Sequence, residues 1–193
     1  MALFCTEIFY SQTKLIKEAD TDGVSKAQSK TNYILPKDYY VFDSVHFKDY
    51  KILALEKTKK KNDKSGIHHN LPIVVLHKNI YSGTFEKIAE NNKLVFSYDD
   101  NCPADIYGRL VIKGNFFTVE QIYCSDFLFV NSYTTFYIDR SNRIHLHQYG
   151  ESYTDRSNPD KFIKDRVWTK KDFGSVSFAE VNENFLMRLG GHF

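Results

Sequence analysis

Short apolar runs separated by turn-forming residues recur along most of the chain, and they constrain its fold more than any other feature. The runs are rich in Val, Ile, Phe and Tyr, the residues that favour pleated strands. Asn-Asn, Lys-Gly-Asn and Arg-Ser-Asn steps interrupt them, as expected of an antiparallel meander. The predicted strands are Tyr39 to Val45, Tyr50 to Leu55, Leu71 to His77, Thr84 to Ala89, Lys93 to Tyr98, Leu110 to Ile112, Phe116 to Tyr123, Phe127 to Ile138 and Arg143 to Tyr149.

Three of the interruptions are predicted hairpin turns, because Asn and Gly adopt positive φ at low cost: Asn91-Asn92, Gly114-Asn115 and Ser141-Asn142. Helix signals are confined to the segment from Ser177 to Leu189. The sequence therefore predicts a mostly β protein, an antiparallel meander that forms a sandwich or a partial propeller-like sheet assembly, with at most a short C-terminal helix.

The composition supports strands and narrows the range of partners. Among 193 residues there are 13 Tyr and 16 Phe but only 2 Met and 1 Trp. The 26 basic and 24 acidic side chains give a net charge of +2, which provides no general attraction for nucleic acid. No apolar stretch approaches the roughly 20 residues that cross a bilayer, so we expect no membrane insertion.

The chain divides into an N-terminal segment, residues 1–32, and a single β-rich domain, residues 33–193. Two interpretations of the apolar start, Met1 to Gln12, stay open: the remnant of a secretory signal, or a first β-strand. The polar part from Thr13 to Asn32 is predicted to be a flexible lead-in. A signal would direct the protein to the periplasm or cell envelope of a bacterium; without one, and with Met1 as the true start, it would be cytoplasmic.

The three cysteines are Cys5, Cys102 and Cys124. If Cys5 belongs to a removed signal, the remaining pair could form a disulfide in an oxidising compartment, closing a loop of about 20 residues. The alternative is two thiols that stay reduced. Neither cysteine has a neighbouring Cys or His at metal-ligand spacing, and no metal is expected.

Two charged stretches lie between predicted strands. Lys57 to Asn70 contains five lysines but no interleaved aromatic residue or arginine, so it is interpreted as a solvated hairpin loop. Tyr98 to Gly108 contains Asp99, Asp100 and Asp105 without the glutamate of a calcium loop, which indicates an exposed acidic loop.

No motif of nucleophilic, phosphate or dinucleotide chemistry is present, so no catalytic residue and no cofactor are predicted, and the protein is expected not to be an enzyme. His145 and His147 alternate along a predicted strand and would supply two ligands of a zinc site, but the sequence indicates no third.

The C-terminal third contains Leu146-His147, Ser157-Asn158-Pro159-Asp160 and Lys171-Asp172-Phe173-Gly174. With these elements it resembles uncharacterised bacterial cell-envelope proteins that carry degenerate FG-GAP (integrin α-like) repeats. The resemblance extends more weakly upstream and covers roughly Tyr33 to Phe178. It implies an all-β envelope protein and supplies no catalytic residue.

The chain departs from that family pattern in two places. The Asp-rich turn would fall in Asp43 to Tyr50, where Val45, His46, Phe47 and Lys48 stand instead, and the central Gly-Gly is replaced around Cys102 to Asp105. The resemblance therefore does not imply a calcium site.

The loop after the predicted strand at Arg143 to Tyr149 is a candidate contact surface. Asp155 and Asn158-Pro159 are turn-forming, whereas Tyr149, Tyr153 and Arg156 are of the types that anchor protein interfaces.

Two classes of function follow. The first is a non-catalytic envelope protein that binds a protein partner, most specifically an immunity protein that neutralises an interbacterial toxin by occlusion. Its expected contacts are Asp99, Asp100, Asp105, Tyr149, Tyr153 and Arg156, with the lysines of the basic loop. The alternative is an envelope carbohydrate-binding module or hydrolase, with Tyr123, Phe127, Phe129 and Tyr133 as sugar platforms; Phe127 and Phe129 are expected to lie in the core instead.

Overall fold

The computed structural model describes residues 31–58, 71–96, 102 and 106–191. They form two antiparallel sheets in which every strand pairs with its neighbour in the chain. The first sheet has the order β1-β2-β3-β4, with β1 Tyr39–Phe47, β2 Tyr50–Lys57, β3 Ile73–Lys78 and β4 Phe85–Asn91. The second has the order β5-β6-β7-β8-β9, with β5 Tyr107–Lys113, β6 Phe116–Ser125, β7 Leu128–Ile138, β8 Ile144–Asp155 and β9 Arg166–Thr169.

The helical segments are short and lie at the C-terminal end of the described chain. They are α1 Lys170–Phe173, a single 3₁₀ turn at Phe178–Glu180 and α2 Glu183–Gly190. Asn182 caps α2 by accepting a hydrogen bond from Phe185 N at 3.0 Å, and Gly191 ends it in the left-handed region. The predicted fold class, a mostly β antiparallel meander with a short C-terminal helix, is confirmed.

Two of the three predicted hairpin turns are confirmed. Gly114 joins β5 to β6 and Asn142 joins β7 to β8, both with a φ of 61°. The Asn91-Asn92 prediction is wrong, because the Asn91 side chain is buried and donates to the carbonyls of Phe178 and Val181, at 2.6 and 2.8 Å. Asn91 therefore ties β4 to the C-terminal segment.

The predicted strand at Lys93 to Tyr98 is wrong over its described part, which ends at Phe96. In place of a partner strand, the buried side chain of Gln121 accepts from Phe96 N at 2.7 Å and donates to the carbonyl of Leu94 at 3.4 Å. One amide side chain thus satisfies backbone groups that a strand pair would otherwise satisfy. Strand β9 was not predicted, and β8 extends six residues beyond its predicted end.

The main hydrophobic core lies between the two sheets. It combines Ile52, Ala54, Ile73 and Val75 of the first sheet with residues from all of β5 to β8 and from the C-terminal segment. The apolar runs in β2 and β3 are continuous rather than alternating because both faces of these strands are buried. Their second face forms a smaller cluster of Leu53, Leu55, Val74, Leu76 and Phe85.

An irregularity in β1 connects the sheets. The pairing of β1 with β2 shifts between Val41 and Asp43, and Asp43 Oδ2 accepts from Tyr107 Oη at 2.7 Å and from Leu110 N at 2.8 Å. Burial, together with the bond to Asp43, raises the pKa of Tyr107. The edge strands of the two sheets are therefore joined by a carboxylate.

Candidate functional site

The structure describes only three of the six predicted contact residues, Tyr149, Tyr153 and Arg156. Asp99, Asp100 and Asp105 lie outside the described residues, as do the lysines of the basic loop after Lys57. Cys102 and Cys124 form a disulfide that spans 22 positions of the chain, with Cα atoms 5.4 Å apart. Cys102 is buried.

Tyr149 is not a surface contact, which corrects its prediction as a partner-binding residue. Its side chain is fully buried. The pairing of β7 with β8 is irregular at two neighbouring positions: Thr135 pairs with Gln148 but Phe136 pairs with Leu146, so His147 is an extra residue in β8. Such a bulge shifts the side-chain alternation by one position. Ile144 and Leu146 face the core before it, whereas Tyr149 and Glu151 face the core after it.

Because Tyr149 and Glu151 face the core, this part of β8 forms a buried polar cluster around Glu151. Tyr123 and Tyr149 each donate to Glu151 Oε1 at 2.7 Å, and Tyr153 donates to Oε2 at 2.5 Å. Burial is the largest cause that raises the pKa of all three tyrosines, and the Glu151 carboxylate raises it further. The hydroxyls are therefore held protonated as donors, and Tyr153, half-buried, is largely committed to this cluster.

Arg156, by contrast, is exposed on the surface, as predicted. Its guanidinium stands over the ring of Phe129, 5.3 Å from the ring centroid. Arg156 N donates to the carbonyl of Phe127 at 2.9 Å, which fixes the end of β8 beside the β6–β7 turn. Phe127 lies in that turn, after Asp126 in the left-handed region, and its side chain is 77 % exposed.

The expectation that Phe127 and Phe129 belong to the core is therefore wrong. Phe129 alternates with the inward Val130 and packs under Arg156. Tyr123 points into the core, so the four aromatic residues considered as a sugar platform do not share a face. We call Phe127, Phe129 and Arg156 the Arg156 surface.

The loop that follows Arg156 is organised by Asp155. Its Oδ1 accepts from Ser157 N at 3.0 Å and Ser157 Oγ at 2.7 Å, and its Oδ2 accepts from Lys161 Nζ at 3.1 Å. The hydrogen bonds from Ser157, followed by Lys161, lower the pKa of Asp155 to about 2. Directly after Lys161, Phe162 is 88 % exposed, so a second large apolar side chain follows the ordered turn.

The opposite end of the second sheet carries a concave cleft beside the β7–β8 turn. We call it the histidine cleft; its lining includes Tyr137, Asp139, His145, His147 and Lys170. Within the ranges that the structure describes, no three His, Cys, Asp or Glu side chains are grouped to hold a metal ion. None of the helices described there is long and apolar enough to span a membrane.

Together these features define a two-sheet antiparallel β protein with an exposed aromatic and basic surface at one end of its second sheet. The chain matches no family model, no curated protein and no solved structure.

Proposed function

We propose that this is a non-catalytic protein that binds a protein partner through the Arg156 surface. The observation that carries the proposal is the exposure of Phe127 next to an arginine that is already positioned over Phe129. Large aromatic side chains and arginine dominate the binding energy of protein interfaces. An apolar side chain that is left in water beside such an arginine gains most when a partner covers it.

The size of this gain follows from the side chain itself. Full burial of a phenylalanine stabilises a complex by roughly 1.5 to 3 kcal/mol. The carbonyl of Phe127 accepts from Arg156 N and the Arg156 guanidinium is placed over Phe129, so little backbone freedom is lost at Phe127 and little side-chain freedom at Arg156 when they meet a partner. The Arg156 guanidinium also favours a carboxylate on the partner.

The ordered turn at Asp155 supports the same proposal. Asp155 fixes the backbone immediately after Arg156 through Ser157 and Lys161. A surface that is rigid before binding loses less freedom on association than a mobile loop. The turn therefore holds the backbone that follows Arg156 in a defined geometry.

The more specific form of the proposal is an immunity protein of the bacterial envelope that neutralises a toxin by occluding its active site. The Cys102–Cys124 disulfide supports an oxidising compartment, since such bonds persist outside the cytosol. The resemblance of the C-terminal third to envelope proteins points the same way. The partner would then be a secreted toxin with an acidic and apolar rim.

The test is capture of the partner by the tagged full-length chain from its source cells, with stoichiometry measured by mass spectrometry. Phe127→Ser and Arg156→Ala are compared with wild type and with Tyr81→Ser, a matched control at a turn of the first sheet where Tyr81 is 93 % exposed. We expect wild type and the control to retain the partner and Phe127→Ser to bind it about 10- to 100-fold more weakly.

Equal recovery by all four proteins, or loss with Tyr81→Ser alone, would contradict the assignment of this surface. The immunity function has its own readout. The recovered partner, expressed in the periplasm without this protein, should arrest growth, and co-expression of wild type but not Phe127→Ser should restore it.

A further inference from the structure

The histidine cleft lies far from the Arg156 surface. Strand β7 runs from Leu128, beside that surface, to Ile138, beside the cleft, so the two sites are roughly 30 Å apart along the strand. The cleft has a volume of about 290 Å³. Besides the five lining residues named above, Gly174 borders it.

One side of the cleft is aromatic. The ring centroids of Tyr137 and Phe116 are 5.1 Å apart, and those of Phe116 and His147 are 4.8 Å apart. Phe116 is 37 % exposed, so this cluster is open to solvent although its rings support one another. Aromatic rings held in this way offer an apolar face to a ligand at little cost in side-chain entropy.

The carboxylate of Asp139 is fixed within the cleft. Its Oδ1 accepts from Ser141 N and Arg143 N, at 2.8 and 3.0 Å, and its Oδ2 accepts from Arg143 Nε at 2.8 Å. Hydrogen bonds from Arg143 and Ser141 lower the pKa of Asp139. His145 Nε2 lies 3.6 Å from Oδ2, so an imidazole is placed next to an ionised carboxylate.

The charge of the cleft that no ion pair neutralises is positive. Asp139 is balanced by its ion pair with Arg143, whereas Lys170 takes part in none of the ion pairs found among the described residues. The two imidazoles add donors and acceptors that suit hydroxyl groups. The cleft thus combines an apolar wall, several groups that can bond to hydroxyls, and the Lys170 ammonium, which pairs with no carboxylate of the described part of the chain.

We propose that the histidine cleft binds a sugar unit that carries a carboxylate, such as a hexuronic acid. The apolar face of the pyranose ring packs on Tyr137, the hydroxyls bond to Asp139 and the imidazoles, and the sugar carboxylate pairs with Lys170. This site is independent of the proposed protein partner, because it is built from the other end of the sheet.

The test is titration of the full chain with sodium glucuronate and with glucose, which differ only at the carboxylate carbon, followed by amide chemical shifts in ¹H–¹⁵N NMR spectra. We expect saturable shifts at Tyr137, His147 and Gly174 with glucuronate up to roughly 50 mM, and about fivefold weaker binding of glucose. Sodium chloride at equal ionic strength serves as the blank.

Lys170→Met should reduce the glucuronate affinity to that of glucose. Lys171→Met is the matched control, since Lys171 neighbours it on α1 and does not line the cleft, and should leave both affinities unchanged. Tyr137→Leu should weaken both sugars. Absence of saturable shifts with either sugar, shifts reproduced by sodium chloride, or equal effects of the two lysine variants would overturn the proposal. Whether Phe127→Ser loses the protein partner tests the Arg156 surface only and does not affect the proposed sugar site.

Discussion

Replacing Glu151 with leucine tests whether the buried tyrosine cluster stabilises the second sheet. Glu151 is 1 % exposed and accepts three phenolic hydroxyls. Leucine fills a similar volume but accepts nothing. The hydroxyls of Tyr123 and Tyr149 are then left buried without this acceptor, whereas the half-buried Tyr153 can bond to water.

The expected magnitude follows from these contacts. Loss of a hydrogen bond to a carboxylate costs about 1.5 to 3 kcal/mol, which gives about 3 to 6 kcal/mol for the bonds from Tyr123 and Tyr149 together. The variant also no longer bears the desolvation cost of the buried Glu151 carboxylate, and this offsets part of the loss. We expect the free energy of unfolding to decrease by about 2 to 4 kcal/mol.

A double-mutant cycle separates this mechanism from a simple packing defect. In wild type, Tyr149→Phe removes a hydrogen bond to a carboxylate and should destabilise by about 1.5 to 3 kcal/mol. With Leu at position 151 that hydrogen bond no longer exists, so the same change should cost clearly less than in wild type. Tyr133→Phe, on the outer face of the same sheet, should shift the free energy by no more than about 0.5 kcal/mol.

Urea unfolding is the assay, followed by the fluorescence of Trp168, whose ring stacks on Tyr149 with centroids 5.4 Å apart. With a slope of about 2 kcal/mol per M, Glu151→Leu should lower the midpoint by about 1 to 2 M. An unchanged or higher midpoint, or a Tyr149→Phe effect of the same sign and size in both backgrounds, would refute the reasoning.

Three further predictions use pH and redox conditions. The pKa values of Tyr123 and Tyr149 are raised in the folded state, so the free energy of unfolding should keep their contribution below pH 10 and decrease above it. The decrease should reach up to about 1.4 kcal/mol per pH unit for each tyrosine, and urea midpoints from pH 8 to about 11 measure it. The pKa of Asp155 is lowered from 3.8 to about 2, so its contribution to the free energy of unfolding should be present above about pH 4 and lost as the pH falls toward 2. Asp155→Asn should therefore make the urea midpoint depend less on pH over that range. Reduction of the Cys102–Cys124 bond, or replacement of both cysteines with serine, should lower the free energy of unfolding by about 3 kcal/mol for a loop of 22 positions, and unchanged midpoints in dithiothreitol would contradict this.

The strand pattern could be predicted from sequence because local composition decides it. Runs such as Phe116 to Tyr123 are rich in aromatic and β-branched residues, and the Gly114 and Asn142 turns require residues that tolerate positive φ. The failed predictions have a common cause. Asn91 and Gln121 bind backbone groups far away in the chain, and no local pattern reveals which distant carbonyl or amide a buried side chain will meet.

The same limit applies to the candidate site. A single extra residue at His147 turns Tyr149 and Glu151 inward, and the sequence of β8 gives no sign of where its alternation shifts. Arg156 could be selected by residue type, but its stacking on Phe129 depends on the pairing of β7 with β8. Phe127 is exposed because it lies in the turn between β6 and β7, which contains no Asn or Gly from which it could be predicted.

The neighbour-to-neighbour order of the strands has a consequence for how the chain folds. Within each sheet every strand pairs with the next one along the chain, so no pairing requires a distant segment and the two sheets can form separately. The contacts between distant parts of the chain, from Asp43 to Tyr107 and from Asn91 to Phe178, must wait until both sheets exist. We therefore expect these polar links to form late, with docking of the two preformed sheets as the slow step of folding.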